Sequence, residues 1–202
     1  MIKKATNVTQ KKQLKTYRAK RHFNLTPEPA GGKYKKSFTP LIFVIQKHEA
    51  SHLHYDFRLE MNGVLKSWAV PKGPSLNPNN KRLAVQVEDH PIEYGSFEGI
   101  IPQGHYGGGT VMIWDGGQWI CQDKSPQDAL ASGHITFTLT GKRLKGLWSL
   151  IQFNDNPKNW LLVKMKDRFA RFGTEITDQK TKSIVSNMSM TQIAEKHQNK
   201  KR

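Results

Sequence analysis

Along much of this chain polar and apolar side chains alternate with a period of two. "HLHYDFRLEM" (52–61) and "RLAVQVEDH" (82–90) show it most clearly, and such alternation marks half-buried strands. "LIFVIQKH" (41–48) is β-branched and aromatic over a strand's length, and "VLKSWAVPKG" (64–73) follows the hairpin signal Asn62-Gly63. "TVMIWDGGQWIC" (110–121) reads as a further hairpin turning at Asp115-Gly116-Gly117. "HITFTLTG" (134–141), "LWSLIQF" (147–153) and "WLLVKMK" (160–166) complete the strands. Two stretches read as helical: "SPQDALAS" (125–132), with Ser125 as cap and Pro126 in the first turn, and "MTQIAEKHQNK" (190–200) near the end. No internal repeat is visible. Many short strands with regular turn signals predict a mostly β, compact single domain, a barrel or a sandwich, with one or two short helices.

Composition adds a setting. The 202 residues, 36% of them hydrophobic, suffice for one domain with a real core. No run approaches the roughly 20 apolar residues that cross a bilayer. The N-terminus has no apolar block of signal-peptide type, and the lone Cys121 cannot form an internal disulfide. A cytoplasmic protein without a membrane partner is expected. The net charge of +16 is unevenly spread: residues 1–40 hold eleven Lys/Arg against one acidic residue, residues 41–163 hold eleven of each, and residues 164–202 hold ten against four. A neutral body with two basic ends attracts a polyanion by releasing its counterions, and nucleic acid is the commonest such partner. The blander reading is a pair of solvated tails that keep the chain soluble.

Three of the eight histidines fall in "QKHEASHLHYDFRLE" (46–60). On a strand, side chains two apart share a face. Leu53, Tyr55, Phe57 and Leu59 are expected to enter the core together, and His52, His54, Asp56 and Arg58 to point the other way. Glu49-Ala50-Ser51 is a short connection that folds His48, at the end of the preceding strand, back beside them. Imidazoles and one carboxylate are usual ligands for Mn2+, Zn2+ or Fe2+, and two His with one carboxylate leave positions open. Arg58, one step along the same face, can fork onto two phosphate oxygens. A plain polar strand face is the alternative; the clean alternation of H-x5-H-x-D-x-R favours a site.

"FVIQKHEASHLHYDFRLEMNGVLKSWAVPKGPS" and "RLAVQVEDHPIEYGSFEGIIPQGHYGGGTVMIWDGG" closely resemble the 3'-phosphoesterase domain of bacterial ligase D, which also occurs freestanding in bacteria and archaea. The likeness runs from about Tyr17 to about Lys166. It implies a β-barrel with a crescent-shaped groove at 17–166, and the charge distribution leaves a basic flexible arm at 1–16 and a basic tail at 167–202 outside it. It also implies a Mn2+-dependent enzyme, with Co2+ or Zn2+ as other acceptable metals, that heals DNA 3' ends during double-strand break repair by non-homologous end joining. The family removes 3'-phosphates and 3'-terminal ribonucleotides from DNA or DNA/RNA primer–templates. A polymerase, a ligase and Ku are the partners implied, for a monomeric, nucleoid-associated prokaryotic protein. His48, His54 and Asp56 match the family's metal ligands, and Arg58 and His90 match its phosphate contacts. Tyr94 matches an active-site tyrosine, Lys72 and Arg82 match supporting basic positions, and Arg21 and Glu28 match residues of the ribonucleotide-removing step. His22 departs from the family's usual Asp, which bears on that step. His52 falls at a variable position outside the metal set.

Other features carry less. "IPQGHYGGG" (101–109) lacks the G-K-[ST] of a P-loop and reads as a tight turn, with Gly107 to Gly109 supplying positive φ. His22, His134 and His197 read as surface residues, and Trp114/Trp119 and Trp148/Trp160 as cross-strand core pairs. Cys121 reads as a small buried hydrophobe without a His or Asp nearby. The near-neutral pKa of an ordinary imidazole suits His90 as a general acid. An ATP-dependent nucleotidyl transferase needs K-x-D-G for lysyl-AMP, and "PKGP" at Lys72 lacks the Asp. A non-catalytic DNA- or partner-binding module would keep the barrel but has no need of a metal triad.

Overall fold

The computed structural model describes residues 10–32, 40–173 and 175–199. Ten strands form one antiparallel sheet: β1 (Ile42–Glu49), β2 (Leu53–Met61), β3 (Val64–Val70), β4 (Lys81–Gln86), β5 (His90–Pro91), β6 (Gly99–Ile101), β7 (Gly109–Cys121), β8 (His134–Gly141), β9 (Lys145–Gln152) and β10 (Asn159–Lys164). Eight of them run β1-β2-β3-β4-β10-β9-β8-β7, and β7 pairs back with β1, so the sheet closes into a barrel. Eight strands give an interior that side chains just fill. Here Phe57, Trp68, Trp114, Trp119, Phe137, Trp148 and Trp160 fill it, each at most 2% exposed. Helices among the described residues include α1 (Lys15–Ala19), α2 (Pro126–Ala131), α3 (Ile176–Gln179) and α4 (Met190–Asn199), with a 3-10 turn at Ile92–Ser96. Among the described residues no helix is long and apolar enough to cross a membrane.

Local signals place several elements as expected. Asn62 and Gly63 both take positive φ in a two-residue hairpin between Met61 and Val64. Ser125 accepts the Asp128 N–H at the start of α2, with Pro126 at its first position. Trp114, Trp119, Trp148 and Trp160, expected as core pairs, are core residues, although the partners differ: Trp160 packs edge-on against Trp68 and Trp119 against Phe137.

Residues 110–121 do not turn. They belong to one thirteen-residue strand, and neither Gly116 nor Gly117 has a positive φ. A β-carbon on Gly117 would collide with the Thr140 carbonyl oxygen, so this glycine permits close approach to β8. The register slips opposite Ile45/Gln46, and such a bulge bends the strand. Asp115, buried at this point, accepts the backbone N–H groups of Arg143 (3.0 Å) and Leu144 (2.8 Å). Leu53, expected inside, is 47% exposed, because the barrel wall begins at Tyr55. Cys121 is half-buried and has Asp123 Oδ2 at 3.8 Å, so it is neither fully buried nor without an acidic neighbour.

The flanking segments are packed on the barrel where they are described. Gln10, Leu14 and Tyr17 are buried, as are Ile176 and Ile193, and Gln10 Nε2 donates to the Gly63 carbonyl at 3.0 Å. Residues 1–9 and 200–202 of the two basic ends lie outside the described residues. His197 is half-buried against Gly99 rather than on the surface.

The outer face of β1–β3 is also buried. A second apolar cluster of Leu14, Tyr17, Val44, Val64, Leu65, Tyr94 and Ile113 covers it, formed where residues 10–32 and the 3-10 turn lie across the sheet. Asp56, Arg58 and His90 are therefore sheltered from water on the side of the sheet away from the barrel core.

Replacing Asp115 with Ala should lower stability by about 2–4 kcal/mol, since one buried and one half-buried N–H group lose their acceptor. In urea unfolding the midpoint should fall at an unchanged slope.

Candidate active site

The register of β1 and β2 builds the centre. His48 stands directly opposite His54, and Gln46 opposite Asp56; Asp56 and Arg58 stand opposite Ala69 and Ser67 of β3. The even-numbered side chains of β2 thus project onto one side of a three-strand patch. The ligand atoms of His48, His54 and Asp56 all lie within 4.8 Å of one another. His48 Nδ1 is 3.5 Å from Asp56 Oδ2, and His54 Nε2 is 3.8 Å from Oδ1.

Backbone carbonyls fix both tautomers. His48 Nε2 meets the Gly107 carbonyl at 2.8 Å and His54 Nδ1 meets the His52 carbonyl at 2.9 Å. A carbonyl only accepts, so each of these nitrogens carries the hydrogen. In the neutral rings, His48 Nδ1 and His54 Nε2 therefore turn bare lone pairs toward the Asp56 carboxylate. Three electron-rich atoms facing one another repel unless a cation sits among them. Outward carbonyl partners that orient imidazoles in this way are the usual second layer of a metal centre. The donor set fits a divalent transition metal, and the three side chains form a group able to hold one.

Arg58 lies behind the triad, 2% exposed. Its Nε donates to Gln46 Oε1 (2.8 Å), one Nη to Ser67 Oγ (2.8 Å) and the other to Asp56 Oδ2 (3.1 Å). The guanidinium also rests 4.9 Å from the centroid of the Tyr94 ring. Burial alone would raise the Asp56 pKa, but the charge of the adjoining Arg58 guanidinium opposes it and the carboxyl is held well below its ordinary range.

A cavity of about 230 Å3 opens over this patch, lined by the triad together with Arg21, Arg58, Glu88, His90, Tyr94, Tyr106 and Gly107. A model of the DNA ligase D 3'-phosphoesterase domain matches residues 46–152, the segment that carries the triad and most of this cavity. The chain belongs to that family. It is 56% identical over 163 residues to the multifunctional non-homologous end joining protein LigD of Pseudomonas aeruginosa, a match that covers 79% of this chain and 19% of that protein. It is 44% identical over 163 residues to LigD of Mycolicibacterium smegmatis, covering 77% and 21%. Against LigD of Mycobacterium tuberculosis it is 42% identical over 156 residues, covering 77% and 20%. The chain thus spans about a fifth of the length of the curated relatives it matches.

Of the positions that the ligase D likeness singles out, the structure brings Arg21, His48, His54, Asp56, Arg58, His90 and Tyr94 to one cavity. Glu28 stands directly behind Arg21, its Oε1 accepting from Nε at 2.7 Å. Arg21 also donates to Glu88 Oε1 (3.1 Å), and its Nη2 lies 3.2 Å from His90 Nε2. Lys72 and Arg82 do not line this cavity: Lys72 is exposed on the loop after β3, and Arg82 pairs with Glu175. His52 is exposed, apart from the triad.

His90 is held neutral. Its Nδ1 lies 2.8 Å from the Glu88 carbonyl and therefore carries the hydrogen, leaving Nε2 to accept from Arg21. Burial first, and then the charges of Arg58 and Arg21, push its pKa well below the ordinary 6.5. The general-acid role expected from an unperturbed imidazole thus does not suit the resting site. Tyr94 is held protonated, since burial raises its phenol strongly.

Sequence reasoning missed Gln46, Ser67, Glu88 and Gly107. Glu88 precedes His90 by two positions and so shares its side of the chain, a signal that was present. Gly107 acts through its carbonyl, which no side-chain pattern reveals.

At pH 6 the imidazole nitrogens of His90 should report a neutral ring protonated at Nδ1, measurable by 15N NMR of the histidine side chains. A folded pKa below the unfolded one means that the unfolded chain takes up the proton first. The His90 contribution to stability is therefore full above about 6.5 and is lost as pH falls below it; a ring that titrates near 6.5 in the folded protein would contradict this geometry.

Proposed function

We propose that this protein is a Mn2+-dependent phosphoesterase that heals DNA 3' ends, removing 3'-phosphates and 3'-terminal ribonucleotides from primer–templates in non-homologous end joining. The observation that carries the reading is the triad of His48, His54 and Asp56, with both imidazoles turned inward by backbone carbonyls, beside a pair of buried arginines. Membership of the ligase D phosphoesterase family supports hydrolysis of an ester and a place in DNA repair. Names of the relatives support an end-joining setting, in which a polymerase, a ligase and Ku would be partners.

His48, His54 and Asp56 would hold a divalent cation, which would supply Lewis-acid polarisation of a phosphoryl oxygen. The chain's own groups do the rest. Arg58 keeps two of its five N–H groups beyond those given to Gln46, Ser67 and Asp56, and these serve the charge that redistributes over the phosphoryl oxygens. Arg21, which also lines the cavity, contributes a second guanidinium held by Glu28 and Glu88. His90 positions Arg21 through Nε2, and the protonated Tyr94 ring backs both His90 and Arg58. For a 3'-phosphate, water adds to phosphorus, the P–O3' bond breaks, and a proton passes to the leaving 3' oxygen to give a 3'-OH and inorganic phosphate. Lys72 and Arg82, outside the cavity, would act on the polynucleotide backbone rather than on the reacting phosphate.

Two measurements test the reading. Incubated with Mn2+, the protein should convert a 3'-phosphorylated primer–template to a 3'-OH end, and His48→Ala or Asp56→Asn should reduce the rate at least a hundredfold while the circular dichroism spectrum is retained. Wild-type turnover in either variant would show that the triad is not the centre, and binding without turnover in the wild type would favour a non-catalytic module. DNA affinity should also fall steeply with salt. Deleting residues 1–9, which leaves the packed Gln10 and Leu14 in place, should reduce the slope of log K against log salt by about one for each of Lys3 and Lys4 that contacts a phosphate.

A further inference from the structure

Tyr106 differs from the other phenol rings of the cavity. Tyr94, which also lines the cavity, and Tyr17 behind it are buried, whereas Tyr106 leaves 48% of its surface to solvent. It belongs to neither apolar cluster, so core packing does not account for it. Its position is nevertheless well determined. The next residue, Gly107, gives its carbonyl to His48, which places the ring one residue from the group that orients a member of the triad. Its hydroxyl accepts from Lys20 Nζ at 3.0 Å and lies 3.4 Å from Glu88 Oε2. Lys20 Nζ and Arg21 Cζ lie 4.5 and 5.3 Å from the ring centroid. An exposed aromatic ring clamped at the mouth of an arginine-lined cavity is pre-organised for a flat partner, because little freedom is lost when that partner arrives.

Resting on the reading that a phosphorylated 3' end enters this cavity, we propose that Tyr106 forms a nucleobase subsite, against which the base of the terminal nucleotide stacks. The chemistry fits. The base is joined to its 3' oxygen through one sugar, so a phosphoryl group held by Arg58 and Arg21 brings the base to the rim, where the exposed ring stands. Every base has a π-face, so the subsite grips an end without reading its sequence, as a general end-processing activity requires. Lys20 and Arg21 beside the ring add attraction for the neighbouring backbone phosphate.

The test compares two primer–templates that differ only in the terminal nucleotide, one with its base and one abasic, each ending in a non-hydrolysable 3'-methylenephosphonate, by fluorescence anisotropy with the full chain and Mn2+; the corresponding 3'-phosphates serve for turnover. Wild type should bind the base-bearing end about tenfold more tightly. Tyr106→Ala should bind both ends alike, and Tyr106→Trp and Tyr106→Phe should keep the gap, since the ring and not the hydroxyl makes the contact. Equal affinity of wild type for the two ends, or a Tyr106→Ala variant that weakens both by the same factor, would overturn the subsite. Phosphate release from the base-bearing end with Mn2+ judges the phosphoesterase reading separately. A base gap without release keeps the subsite and sinks that reading, and release without a base gap does the reverse.

Discussion

An almost wholly buried guanidinium dictates the outer face of β1–β3. Arg58 is 2% exposed, and a buried charge left without partners costs several kcal/mol. Each partner it takes fixes something else. Gln46 accepts from Nε and donates its own amide to the Tyr94 and Phe97 carbonyls, tying residues 94–97 to β1. Ser67 accepts from one Nη and donates to the Leu65 carbonyl. Asp56 supplies the counter-charge, and its carboxylate then faces the two imidazoles. The triad is thus ordered by a network that would exist for Arg58 alone.

The fold was legible wherever the signal was local. Alternation in β2, the Asn62-Gly63 turn and the Ser125 cap each depend on a few neighbouring residues, and each is where the pattern put it. The signal failed where tertiary contact decided the outcome. Asp115-Gly116-Gly117 has the composition of a turn, yet Asp115 caps the distant Arg143 and Leu144 N–H groups and Gly117 makes room for β8. The covering of the site was likewise hidden. Residues 10–16 read as part of the basic arm at 1–16, but Leu14, together with Tyr17 just beyond it, packs one side of that segment onto the sheet.

The site was legible as chemistry before it was legible as electrostatics. His48, His54, Asp56 and Arg58 follow from the two-residue period of a strand and a short connection. Arg21, Glu28, His90 and Tyr94 carried no such pattern and entered through the family likeness. The neutrality of His90 could not be anticipated from either source, because it arises from burial beside two arginines that are 32 and 69 positions away in sequence. The role of Gly107 was masked by its composition: a glycine run suggests turn geometry, and here one of its carbonyls orients the His48 imidazole.

Charge balance then links the covering segment to the chemistry. Around the cavity, Arg58, Arg21 and Lys20 meet Asp56, Glu28 and Glu88, three positive groups against three negative, all in contact. In a low-dielectric pocket such a set is tolerable because it is neutral. A phosphoryl dianion alone would leave the pocket negative, and a divalent cation alone would leave it positive. Together they restore the balance, so each favours the entry of the other. Two of the three cations, Lys20 and Arg21, come from the segment that lies across the sheet. The packing of Leu14 and Tyr17 is therefore part of the electrostatics of the site, and loosening it would disturb substrate binding before it disturbed the barrel.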